Sequence, residues 1–234
     1  MAQDADADAG VVFDQAKTQA QVVASGLFSF AQGVDAAVRE AISDSALLAQ
    51  LVANKQAPFD IDPLKWFEAY ATVLENVGWT LQESGWTDYT ADGQAADVNE
   101  KIIEVVTAAL APTAGALAII TSTVNALKAM NPDSSWITIF SRESVKASIA
   151  RFQIGLVEKG PDDGVFVSLL ACLIQANNTI TQILFFKYRE SHASFRASSS
   201  KVSINRTALT DLGPTIRGKI RAYQNSYLSS IADI

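Results

Sequence analysis

Residues 151–174 read RFQIGLVEKGPDDGVFVSLLACLI. Phe152, Ile154 and Leu156 alternate with Arg151, Gln153 and Gly155, the period of a strand with one apolar face. Lys159-Gly160-Pro161-Asp162-Asp163-Gly164 is the strongest turn signal in the chain. Residues 165–174 form a continuous apolar run, which fits either a buried strand or a buried helix. Downstream, Asn177-Asn178 suits a tight turn. Residues 180–189 are rich in β-branched and aromatic side chains, as strands prefer. Residues 195–204 alternate again, with a slip in parity at 198–200 that predicts a bulge or an extra turn. Residues 147–206 therefore read as an antiparallel meander of four or five strands.

Upstream the apolar period is helical. Phe13, Ala16, Ala20, Val23, Leu27 and Phe30 recur three or four apart, predicting a helix that breaks at Gly33. A short helix near 34–42 and a third one capped by Asp44 or Ser45 are expected next. Asp62-Pro63 is a helix start, with a capping carboxylate and proline at the first helical position. Trp66, Phe67, Tyr70, Val73 and Leu74 share one face of that helix, and Gly78 closes it. Residues 79–93 read as an ordered loop. Asp97 with Glu100 opens another helix, which Pro112 should split. A short helix is expected over 133–145. At the far end Leu212, Ile216, Ile220, Tyr223, Tyr227 and Ile231 predict a C-terminal helix, with Pro214 in its first turn.

The fold class expected is α+β. A helical N-terminal half of five or six helices should pack with the meander and a terminal helix. The expected organisation is a mobile acidic tail at 1–10 and a single domain at 11–234, mostly helical over 11–146, meander over 147–206 and helix over 207–234. The chain has 234 residues, 49% of them hydrophobic and 18% charged. That composition is far from a disordered chain and sufficient for a core.

Composition also removes classes of function. The net charge is −7, which repels phosphate backbones and argues against nucleic acid as a partner. Cys172 is the single cysteine and His192 the single histidine. This leaves no intramolecular disulfide, no thiolate zinc cluster and no mechanism that needs two imidazoles. Asp4, Asp6 and Asp8 have the spacing of a calcium loop, but Ala9 and Gln15 stand where it needs Gly and Glu, so a solvated acidic tail is expected. Phosphate-cradling, dinucleotide, nucleophile-elbow and zinc-protease motifs are all missing. His192 has no neighbour that would orient its ring, and Cys172 lies in the most apolar run. No enzymatic activity, metal or cofactor is expected. The N-terminus lacks a secretory pattern, so the chain is expected in the cytoplasm, or exported without a conventional signal.

Three features bear on function. Charge is split: residues 1–146 carry 8 Lys+Arg against 19 Asp+Glu, and residues 147–234 carry 10 against 6. Lys187, Arg189, Arg196, Lys201, Arg206, Arg217, Lys219 and Arg221 are the candidate contacts for lipid headgroups or an acidic partner. Equally, the basic half can pack beside the acidic half of the same chain. Second, residues 105–127 and 164–186 are each 23 residues long and uncharged. They are either core or segments that a membrane could receive conditionally. The likeness to pore-forming toxins here is one of composition, with no motif behind it. Third, Trp66, Tyr70, Trp79, Trp86 and Tyr89 form a candidate aromatic surface for a small ligand. Two functions follow as expectations. One is a non-catalytic protein acting at a membrane or lipid surface. The other is a self-assembling interaction protein whose partner is a second copy of itself.

Overall fold

The computed structural model describes residues 12–89, 97–110, 112–185 and 192–230. Its first elements are a β-hairpin of β1 (Gln19–Val23) and β2 (Gly26–Phe30), helices α1 (Ala36–Gln56) and α2 (Pro63–Asn76), and strand β3 (Trp79–Tyr89). Helices α3 (Val98–Leu110), α4 (Ala114–Ala129) and α5 (Ser135–Ser144) follow. The short β4 (Val145–Lys146) leads into the long strands β5 (Ile149–Lys159), β6 (Val165–Gln175) and β7 (Ser194–Ile204), and α6 (Arg206–Ser230) comes last. The protein is α+β. Seven strands form one mixed sheet of order β1-β2-β5-β6-β7-β3, with β4 paired to β5.

The meander lies where its pattern predicts. β5 and β6 pair antiparallel from Lys159↔Val165 to Ile149↔Gln175, and β6 continues antiparallel into β7. Residues 165–174 are strand rather than helix. They are apolar on both faces because β6 is an inner strand with a core above and below. The parity slip at 198–200 is a change of apolar face along a regular strand, Phe195 and Ala197 facing one core and Val202 and Ile204 the other, and the bulge lies on the neighbouring strand instead. β7 keeps its register with β6, whereas β3 shifts between Glu83 and Trp86, opposite Ser200 and Ser198, with Gly85 at φ +77°.

Local signals hold at several other points. Asp62 accepts a hydrogen bond from Lys65 N at 3.0 Å at the start of α2. Gly78 follows that helix at φ +102°, a left-handed conformation that suits glycine. Pro112 falls in the break between α3 and α4, where Thr113 caps α4 by accepting from Ala116 N.

Five stretches fold otherwise than their patterns predict. The stretch 13–30 forms the β1–β2 hairpin instead of a helix. All five residues of β2 are buried because both of its faces are covered, so the strand period is hidden, and Ala24 turns the hairpin at φ +49°. The two short helices expected over 34–51 are one, α1. Asp44 and Ser45 lie in its interior, where Ser45 Oγ donates to Ile42 O and accepts from Trp79 Nε1. Residues 79–89 of the expected loop are the edge strand β3, and 90–93 lie outside the described residues. Residues 180–185 form no strand. Ile180, Ile183 and Leu184 are apolar because they plug a core from a connection containing the 3₁₀ turn Ile183–Phe185; 186–191 lie outside the described residues. Finally, α6 begins at Arg206, capped by Asn205, which places Pro214 in its interior. Leu209, Ile216 and Ile220 are buried on α6, while Leu212 and Tyr223 are 36% and 53% exposed.

The sheet separates two cores. Beneath one face α3, α4 and α5 pack Val105, Val106, Ile120, Val124 and Phe140 against Phe152, Ile154, Leu170 and Cys172. On the other face α1, α2 and α6 pack Ile42, Ala46, Trp66, Leu74 and Ile216 against Phe28, Val157, Val167 and Val202. The N-terminal hairpin joins late sequence. β2 runs parallel to β5, from Gly26↔Gln153 to Phe30↔Val157, and the Phe28 ring covers Gly155.

Candidate functional site

The two uncharged stretches meet across one core. Residues 105–127 supply the end of α3 and nearly all of α4, and residues 164–186 supply β6. Their apolar faces pack on each other beneath the sheet. That sheet face is the more apolar at β5: Ala150, Phe152, Ile154 and Leu156 point to it, whereas Arg151 and Gln153 point the other way. Where α4 meets β1 and β2, a cleft of about 750 Å³ opens between Val22 and Leu27 of the hairpin and Ile119, Thr123, Leu127 and Met130 of the helix. One polar bond spans the seam, Ser29 Oγ to Thr123 Oγ1 at 3.0 Å.

No described helix is long and apolar enough to cross a membrane. At about 1.5 Å per residue, the 16 residues of α4 fall short of a bilayer core of about 30 Å. The strands are different. β3, β5, β6 and β7 each have 11 residues, and a spanning strand needs about 9–11.

Of the six described basic candidates, Arg206, Arg217, Lys219 and Arg221 lie on α6, and Arg196 and Lys201 lie on β7. Arg196 pairs with Asp88 at 3.0 Å and lies over the Trp86 ring. Arg206 pairs with Asp35 and donates to Asp163 O. Arg217 lies 3.4 Å from Asp44 and 3.6 Å from Glu40. Three of the eight thus tie the basic half of the chain to its acidic half. Lys201, Lys219 and Arg221 are exposed. By strand alternation Lys201 belongs to the α3–α4 side of the sheet, opposite α6 with Lys219 and Arg221. Lys187 and Arg189 lie outside the described residues, as do Asp4, Asp6 and Asp8.

The aromatic set also divides. Trp66, Tyr70 and Trp79 are buried core residues, while Trp86 and Tyr89 are half-buried on β3. The five therefore form no common ligand surface. Trp66 and Tyr70 stack at 5.3 Å, and the Arg151 guanidinium lies 3.6 Å from the Trp66 ring centre and 4.5 Å from that of Phe59. Composition pointed to the aromatics; the cation they hold was not singled out. Its signal was present as a charged residue on the alternating stretch of β5, away from the charged end at Glu158 and Lys159. Arg151 is 1% exposed. Nη1 donates to Ser25 Oγ, and Nη2 donates to Asn54 Oδ1 at 2.9 Å. Asn54 Oδ1 also accepts from Trp66 Nε1, and Ser25 is held by Gln50. Burial lowers the guanidinium pKa to about 9, so it stays charged at neutral pH. Burial likewise raises the Tyr70 phenol, whose oxygen has no hydrogen-bond partner.

His192 is exposed in a turn at φ +46°. Cys172 is fully buried, and that burial raises its thiol well above the ordinary range. Among the described residues no group of three His, Cys, Asp or Glu could hold a metal ion.

No protein-family model and no curated protein matches the sequence. Several solved structures are similar. A delta-endotoxin is 12% identical with a TM-score of 0.39, over 84% of this chain and 90% of its own. The activated Cyt2Ba monomer from Bacillus thuringiensis subsp. israelensis is 14% identical with a TM-score of 0.42, over 78% of this chain and 98% of its own. The Evf virulence factor is 13% identical with a TM-score of 0.35, over 85% of this chain and 76% of its own.

Proposed function

We propose that the chain is a non-catalytic protein that acts at a membrane or lipid surface, and that it does so by parting α3 and α4 from the sheet. The observation that carries this reading is that both uncharged stretches face each other across one core. Separating the layers bares a sheet face with an apolar row on β5 and no charge on β6. The wide cleft between α4 and the hairpin marks where the layers are least tightly joined. The strands β3, β5, β6 and β7 have the length that a spanning β-structure needs and α3 and α4 do not, so the sheet is the element assigned to meet lipid. The opposing layer of α1, α2 and α6 stays, tied by the Arg206 and Arg217 ion pairs. Those same pairs join two of the eight candidate basic residues to acids of the same chain, and self-assembly through the rest of the charge split is the second reading.

The test is dye release from phosphatidylglycerol and from phosphatidylcholine vesicles across pH, with co-sedimentation read from the same samples. Release with protein in the lipid pellet is the expected result. Binding without release would replace parting of the layers by peripheral contact. Neither binding nor release at any pH would overturn the reading, and salt-sensitive oligomers in its place would move the function to assembly.

A further inference from the structure

We propose that the pocket beside Arg151 binds a phosphate group. Among the described residues two arginines are fully buried, Arg39 and Arg151, which makes the contrast informative. Arg39 has four of its five donors met: Nε donates to Val34 O, Nη1 to Gln19 Oε1, and Nη2 to Lys17 O and Ala31 O, all at 2.9 Å. Arg151 has five donors and two acceptors, the side chains of Ser25 and Asn54. Its Nε has no partner. No carboxylate of the described residues lies within ion-pair distance of it. A buried charge left in that state costs free energy unless something compensates it.

A pocket of about 200 Å³ reaches Arg151 from solvent, with Asn54, Phe59, Arg142 and Lys146 in its wall. Two acids share that wall, and each has its own cation. Asp60 lies 2.6 Å from Lys146, and Glu143 lies 3.0 Å from Arg142. The three cations of the wall exceed its two acids by one charge, and Glu143 acts on Arg151 only through space, without an ion-pair contact. At about 30 Å³ per water, the space holds several waters or one tetrahedral oxyanion. The end of α5 would favour Arg142 and Lys146 without any ligand; it does not account for Arg151. The Phe59 and Trp66 rings cover the guanidinium, so an acceptor reaches it at an edge, the approach that suits a fork of N–H groups and phosphate oxygens.

The test compares thermal unfolding in inorganic phosphate with that in sodium chloride at equal ionic strength, then repeats it with glycerophosphocholine and with phosphatidylglycerol vesicles. A ligand that binds only the folded state raises Tm saturably. The expected result is a saturable rise in phosphate that is lost in Arg151→Met. The rim pair Arg142→Ala/Lys146→Ala should weaken it about tenfold, the loss of charge-assisted bonds. Both rim side chains are well exposed, so this variant decides the matter where Arg151→Met does not fold. A rise with inorganic phosphate assigns a free phosphate group. A rise only with the diester or with vesicles assigns a headgroup. A rise that persists unchanged in both variants, or no rise with any probe, overturns the site. The outcome is separate from dye release, since phosphate can bind a chain that never opens.

Discussion

Ser29 on β2 donates to Thr123 on α4 across 3.0 Å, and Thr123 passes its own hydrogen to Ile119 O. Both residues are buried, and they join the two layers whose separation the proposed function needs. Paired cysteines at these positions are placed to close a disulfide. In a Cys172→Ala background, oxidised Ser29→Cys/Thr123→Cys should bind vesicles without releasing dye, and reduction should restore release. Equal release from the oxidised and reduced forms would mean that α4 never leaves the sheet.

Cys172 reports the same opening without added cysteines. It is buried on the sheet face under α3 and α4. If that layer opens alone, Cys172 labels with a maleimide at denaturant concentrations below global unfolding, with a slope smaller than the equilibrium m-value. A labelling slope equal to the global m-value would show that the two layers come apart only when the whole chain unfolds.

Two carboxylates should respond to pH with opposite sign. Lys146 holds Asp60 below its ordinary 3.8, so its contribution to stability is present above 3.8 and lost as pH falls through the folded value. Burial holds Asp44 above 3.8 against the pull of Arg217. Its contribution is therefore present below 3.8 and lost as pH rises through the folded value. Asp60→Asn should be less stable than the parent at pH 7, and Asp44→Asn more stable. Both differences should shrink in strong acid, as read from urea midpoints at pH 7 and about pH 2.5, below the ordinary carboxylate range.

The Phe28 ring forms a tight steric lock within the sheet. A Cβ on Gly155 would stand 2.5 Å from Phe28 Cδ1, and Phe28 is fully buried. Gly155→Ala should cost about 1–3 kcal/mol, the usual range for overpacking. Phe28→Leu added to it should recover part of that loss, measured as a non-additive double-mutant cycle. Strict additivity would show that the ring is not the obstacle.

Sequence pattern made the second half of the fold legible and concealed much of the first. β5 and β7 show period two because parts of their two faces differ in polarity. β2 does not, since Leu27, Phe28 and Phe30 are all buried, on two different faces. Its spacing then matched a helix by chance. Ile180 and Ile183 looked like strand residues because burial in a loop selects the same side chains as burial in a sheet. The site was legible in parts only. The uncharged stretches were visible, yet their facing each other depends on the order in which strands pair. Arg151 stood in plain view within an alternating strand. What it lacks, a carboxylate in ion-pair contact, depends on Ser25 and Asn54, which meet it from far away in sequence.

The parallel join of β2 to β5 also sets an order of events in biosynthesis. Ser25 and Gln153, which meet at the hairpin tip, are 128 positions apart. During vectorial synthesis the hairpin leaves the ribosome long before β5 exists, and loop closure of that length is slow. Until then β2 is an unpaired apolar edge with Phe28 and Phe30 uncovered, the kind of edge on which chains aggregate. Expression yield and chaperone dependence should therefore track how soon β5 arrives, and a nascent chain stalled before residue 149 should be the most aggregation-prone species in the protein's life.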